Sequence, residues 1–255
     1  MSGPELAVLP DADATAADAA DRFITALVSA QSARGTASVV LTGGGIGIAM
    51  LREVGRSSRR DEVDWPAVEV FWGDERYLPA GDDERNDTQA REALLDALDL
   101  DPARVHPMPP EDAPEAAGGG DPDLAADVYA TVLSEAASRL GGEGVPTFDV
   151  LLAGCGPEGH VLSVFPDSPA VHARDVGVLG VRECEKPPPT RVTLTLPAAR
   201  QAREIWLVAT GEGKAEALAR AQRGASEVDV PIAGLRGAER TLWILDEAAA
   251  GDLTR

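Results

Sequence analysis

Four short apolar runs in this chain each end in a polar segment that carries glycine. Val39–Leu41 leads into TGGGIG, Val68–Trp72 into GDERY, Phe148–Ala153 into GCGPEGH, and Ile205–Ala209 into TGEGK. Short apolar runs bounded by turn residues, with little polar alternation, read as strands buried on both faces. VGVLGV, RVTLTL and TLWILD add three more strand candidates. Segments with helical spacing lie between the runs. Ala20, Phe23, Ile24, Leu27 and Val28 share one helical stripe that stops at Gly35. GGGIGIAMLREV, DTQAREALLDALDL, the stretch around 123–139 and GKAEALARAQ are the other helix candidates. Strands alternating with helices predict an α/β fold, a three-layer Rossmann-like sandwich with a mostly parallel sheet. Ligands of such sheets sit beyond the carboxyl ends of the strands. The four glycine-bearing segments therefore mark the edge where a site is expected.

The length, 255 residues, suits one α/β domain over 1–255. Residues 109–122, PPEDAPEAAGGGDP, read as a flexible surface loop within it. The formal charge of −20 argues against a nucleic-acid partner, because phosphate backbones need a basic face. It leaves room for a small anionic substrate if two or three cations reverse the field in one pocket. The sequence contains no run of eighteen apolar residues and no basic-then-apolar start, so neither a membrane span nor a secretory signal is expected. Two cysteines make no disulfide framework, which fits a reducing, cytoplasmic setting. Nothing in the sequence fixes an oligomeric state.

Thr42–Gly47 suits an anion cradle or simply a tight strand–helix turn. It lacks the Lys-Ser/Thr pair of a nucleotide loop, and Ile48 stands where a dinucleotide pattern needs glycine. Asp74, Glu75 and Arg76 follow a strand and read, taken alone, as a charged loop. Arg191 precedes VTLTL and Lys214 lies before a helix. Either is a solvated cation or part of a local positive site. His160, in a turn with Gly156, Pro157 and Gly159, is placed to take a proton from water, or to serve structure only. Cys155 reads as a small apolar residue at a strand end, and His106 and His172 as loop residues. Cys155, His160 and His172 match no metal-ligand spacing, so no metal is expected.

LTGGGIGIAML, FWGDERYLPAGDDERND, FDVLLAGCGPEGHVLSVFPDSP, RVTLTLP and LVATGEGKAEAL, in this order, resemble the 6-phosphogluconolactonase family over most of the chain. The most specific pieces are W-x-D-E-R followed by Asn86, and G-x-G-P-[DE]-G-H-x-x-S-x-F-P. The resemblance implies the sugar-phosphate isomerase/deaminase fold. It implies hydrolysis of 6-phospho-D-glucono-1,5-lactone to 6-phosphogluconate in the oxidative pentose phosphate pathway, without a cofactor. His160 would be the general base, Asp74 would orient the imidazole or sugar hydroxyls, and Arg76 would meet developing charge or phosphate. Thr42, Gly43, Gly44, Gly45, Asn86, Gly159, Arg191 and Lys214 would bind substrate, with Arg191 and Lys214 on the phosphate. Family members often carry Ser-Gly-Gly-Ser-Thr-Pro at Thr42–Gly47, Met at Cys155 and Asp at Glu158. A related reading is a glucosamine-6-phosphate deaminase, whose members typically show Asp-Glu-Tyr at 74–76 and a Glu after the histidine turn. A third is a non-catalytic sugar-phosphate sensor.

Overall fold

The computed structural model describes residues 3–114 and 120–254. In chain order the elements are β1 (Glu5–Leu9), α1 (Ala12–Arg34), β2 (Ala37–Leu41), α2 (Gly45–Arg56), β3 (Val68–Trp72), β4 (Asp74–Arg76), α3 (Asn86–Ala93) and β5 (Val105–His106). They continue with α4 (Pro122–Leu140), β6 (Val150–Ala153), α5 (Pro169–His172), β7 (Val178–Val181), β8 (Arg191–Leu194), α6 (Leu196–Ala199), β9 (Glu204–Ala209), α7 (Ala215–Gln222) and β10 (Arg240–Asp246). The Asp11 carboxylate caps α1 by accepting from the Ala14 N–H at 2.9 Å. Gly35 ends the helix at φ 75°, as its position predicts.

Seven strands form one parallel sheet in the order β1-β10-β9-β6-β2-β3-β5. Strand side chains alternate between faces, so each buried run feeds two cores. Val39, Leu41, Val150, Leu152, Trp206 and Val208 pack with Phe23, Ile24 and Leu27 of α1 and Met50 and Leu51 of α2. Val40, Leu151, Ile205 and Leu207 face Tyr129 and Leu133 of α4 and Leu218 of α7. This is the three-layer α/β sandwich with a mostly parallel sheet that the alternation predicts.

A second sheet departs from the expectation. VGVLGV and RVTLTL do not extend the parallel sheet; they form antiparallel β7 and β8, with β4 as their neighbour. The Asp74–Arg76 segment is strand rather than loop, with Asp74 opposite Thr193 and Arg76 opposite Arg191. Gly73 joins the two sheets. Its N–H donates to the Leu41 carbonyl at 3.1 Å, and its own carbonyl accepts from the Leu194 N–H at 2.8 Å. Just before it, the buried Tyr129 hydroxyl accepts from the Trp72 N–H and donates to the Trp72 carbonyl. Those two bonds satisfy backbone groups that leave the ladder. Of the segment 109–122, residues 115–119 lie outside the described residues. On its first flank, the Glu111 N–H donates to Leu78 and the Asp112 carboxylate accepts from the Ala80 N–H.

Candidate active site

The carboxyl ends of β2, β3 and β6 and the small antiparallel sheet line a cleft that is partly open to solvent. Thr42, Gly43, Gly44, Asp74, Arg76, Asn86, His160 and Arg191 all line it. Eight of the eleven residues expected from sequence thus converge at one sheet edge. Cys155, Ser163, Phe165 and Lys186 also face it.

The histidine turn is built by close approach. The Gly156 N–H donates to the His160 carbonyl at 3.0 Å, and a Cβ on Gly156 would lie 2.1 Å from His160 Nδ1. Without that Cβ the imidazole folds back onto Glu158, whose carboxylate meets Nδ1. Phe165 stacks on the other side, with ring centroids 4.4 Å apart. The ring is largely buried. Burial holds its pKa below the ordinary 6.5, against the opposing pull of Glu158 and Asp74. Glu158 itself is held below the usual carboxylate range by hydrogen bonds, His160 and Lys214, despite burial pushing it up. A carboxylate on Nδ1 keeps the ring proton there and leaves the Nε2 lone pair free. Asp74 makes no hydrogen bond to the imidazole among the described residues. Its carboxylate accepts from the Ser163 hydroxyl at 2.6 Å and from Asn86 Nδ2 at 3.4 Å. The signal for Glu158 is its place two residues before the histidine in a glycine turn.

The opposite wall is equally tight. Arg76 Nη1 donates to Asn86 Oδ1, and Asn86 Nδ2 donates to the Asp74 carbonyl at 2.8 Å. A Cβ on Gly43 would fall 1.8 Å from Asn86 Oδ1, so only glycine lets β2 reach this pair. Arg76 Nε is buried with no hydrogen-bond partner among the described residues. Gly44 precedes helix α2 as its N-cap and offers no side-chain cap, and the first turn has no acidic residue. The free N–H groups and positive end of α2 suit an anion.

Three expected binders take other places. Gly45 opens α2 and faces solvent rather than the cleft. Gly159 is spent on the turn: at φ 92° its N–H donates to Gly156 and its carbonyl accepts from Ile232, with Val230 against it. Lys214 sits in the short turn Glu212–Lys214 before α7, outside the cleft lining, where its charge lowers the pKa of Cys155 and Glu158. The preceding Gly211 N–H is already taken by the Asp246 carboxylate at 3.0 Å.

Arg191 lines the cleft, and two of its three nitrogens hold the loop before it. Nε donates to the Pro188 carbonyl at 2.6 Å, and Nη2 to the Lys186 and Pro187 carbonyls at 3.1 Å each. The loop so held carries Lys186, a cleft cation that the polar ECEKPPP stretch conceals in the sequence. Cys155 is a poor nucleophile, since burial pushes its thiol up to about 11. His106 is not a loop residue: it lies in β5, stacks on Phe71 and meets Glu69 at 2.7 Å, far along β3 from the cleft end.

The family described as glucosamine-6-phosphate isomerases/6-phosphogluconolactonase matches residues 10–243. A 6-phosphogluconolactonase of Streptomyces coelicolor is 51% identical, over 99% of this chain and 95% of its own length. One from Mycobacterium tuberculosis is 50% identical, over 96% and 97%. The solved 6-phosphogluconolactonase of Trypanosoma brucei has a TM-score of 0.80 at 26% identity, covering 99% of this chain and all of that one. A monomeric glucosamine-6-phosphate deaminase shares the fold at a TM-score of 0.77 and 17% identity. With the family pattern running through nearly every strand and through the cleft itself, the chain belongs to the glucosamine-6-phosphate isomerase/6-phosphogluconolactonase family.

Proposed function

We propose that the protein hydrolyses 6-phospho-D-glucono-1,5-lactone to 6-phospho-D-gluconate, the lactone-opening step of the oxidative pentose phosphate pathway. The observation that carries this reading is His160, held on Nδ1 by Glu158 and facing a cleft that also holds Arg76, Lys186 and Arg191. Relatives named as lactonases, about half identical along the whole chain, point to the same reaction.

In the proposed mechanism Nε2 takes a proton from water as the water oxygen attacks C1 of the lactone. The C1–O5 bond then breaks in the tetrahedral intermediate, and O5 receives the proton from the imidazolium. The new carboxyl group ionises to give the product and one proton to solvent. No step needs a metal or cofactor. Asp74, fixed by Ser163 and Asn86, is placed to accept from sugar hydroxyls. The start of α2, Arg76 and Lys186 hold the 6-phosphate, and their positive charge opposes the field of a chain at −20. Arg191 acts mainly by holding the Lys186 loop. The one unit 1–255 carries the whole site, and its place of action is the cytoplasm. That placement accords with bacterial relatives and with a structure in which no helix among the described residues is long and apolar enough to cross a membrane.

The deaminase reading is disfavoured by Arg76 in place of Tyr and by VFPDSP, which lacks a Glu after the histidine turn. Purified protein with freshly generated 6-phosphogluconolactone tests the proposal, following 6-phosphogluconate against spontaneous hydrolysis. Saturable acceleration supports it. No acceleration, or ammonia release from glucosamine 6-phosphate instead, overturns it.

A further inference from the structure

Glu75 stands between two cleft residues in sequence yet points away from the cleft, as strand alternation requires. Its side chain is about 1% exposed. The carboxylate accepts three backbone N–H groups: Arg76 at 2.7 Å, Asn86 at 2.6 Å and Asp87 at 2.9 Å. Arg85 Nη2 lies 3.7 Å away and donates to the Met108 carbonyl, while Nη1 donates to the Leu78 carbonyl and Nε to Asp87. Helix α3 has no side-chain cap of its own. Glu75, from a different element, supplies it by taking the N–H groups of the first two helical residues.

A buried carboxylate is costly unless its site uses the charge. Here burial pushes Glu75 up to about 7 against Arg85 and the N–H groups. Two of the three amides it holds belong to Arg76 and Asn86, which line the cleft and bond to each other through their side chains. Gly43 packs against that pair with no slack. A shift of either backbone would therefore move the groups that meet the substrate.

We propose that Glu75 is a positioning residue of the active site: its carboxylate fixes the backbones of Arg76 and Asn86, and so sets the separation of the two side chains that grip the phosphorylated lactone. The inference rests on the lactonase reading for its substrate, but not for its geometry.

The test uses Glu75→Gln, which keeps shape and loses charge, and Glu75→Asp, which keeps charge and shortens the arm. In folded Glu75→Gln protein, KM for 6-phosphogluconolactone rises roughly tenfold or more, as expected for losing a charge-assisted contact, while kcat changes far less. Added to an Arg76→Ala/Asn86→Ala background, the same change raises KM no further. A purely structural cap would lower the melting temperature and the active fraction but leave KM alone. An unchanged KM in folded Glu75→Gln protein, or a full additional effect in the double background, overturns the proposal. If the Gln variant does not fold, Glu75→Asp carries the KM comparison. Amide hydrogen exchange gives a readout independent of activity: the Arg76, Asn86 and Asp87 amides exchange faster in the variant. Unchanged exchange at all three overturns the proposal. A wild-type protein that does not accelerate lactone hydrolysis refutes the lactonase reading, and exchange alone then decides the positioning.

Discussion

Removing Lys186 and removing Arg191 should have different consequences, although both side chains line the cleft. Lys186 is exposed, at the crest of the 182–190 loop. At about 4 Å from a dianionic phosphate in near-aqueous dielectric, its ammonium gains about 2 kcal/mol. Ordering the long side chain takes back up to roughly 1.5 kcal/mol. The remainder, on the order of 0.5–1 kcal/mol, makes Lys186→Ala raise KM about two- to fivefold. The effect shrinks at high salt and is absent with unphosphorylated gluconolactone. Arg191 is 5% exposed and serves three loop carbonyls. Arg191→Ala leaves those carbonyls without their charged donor, a loss of about 2–4 kcal/mol. In a chain of this size that lowers the melting temperature by roughly 5–10 °C. The assay pairs thermal unfolding with saturation curves on both lactones. A normal melting temperature in Arg191→Ala, with a KM defect confined to the phosphorylated substrate, would refute the division of labour drawn here. So would a Lys186→Ala protein with unaltered KM.

Three further outcomes follow from the cleft. Gly43→Ala places a Cβ 1.8 Å from Asn86 Oδ1, so KM rises while the protein stays folded, by circular dichroism and saturation kinetics; a normal KM contradicts the close packing. Cys155→Ser retains activity, because a thiol pushed up to about 11 is not the nucleophile; a covalent adduct on Cys155 found by mass spectrometry would contradict this. The acid limb of kcat/KM falls below 6.5, since burial keeps His160 neutral to lower pH, and Glu158→Gln shifts it lower still by removing a charge that raises the pKa. The same depressed pKa means that the contribution of His160 to stability is present above 6.5 and lost as pH falls through the folded value. An acid limb at or above 6.5 would refute the assignment.

The parallel sheet is legible because its strands are mostly apolar on both faces, so β2, β3, β6, β9 and β10 stand out as apolar runs broken only by residues such as Ser38 and Glu69. Strand β4 is not, because Asp74-Glu75-Arg76 has no apolar residue and owes its extended form to pairing with β8. Edge strand β1 carries a weak sequence signal for a related reason: among the described residues only β10 pairs with it, and its residues are mostly exposed. His160 was legible from its glycine turn, whereas its carboxylate partner depends on how tightly that turn folds, which Gly156 decides. Charge alone does not assign a role to Arg191 or Lys214. A basic residue near a strand end does not reveal whether its donors face a ligand or the chain's own carbonyls.

The central claim is that His160 is the base for lactone opening, and the most direct test is His160→Ala with two readouts. The enzyme-dependent kcat on 6-phosphogluconolactone should fall by roughly 10²–10⁴-fold. The affinity for 6-phosphogluconate, measured by calorimetry, should hardly change, because the proposed phosphate and hydroxyl binders are other residues of the cleft. Near-wild-type turnover in a folded His160→Ala protein would contradict the account.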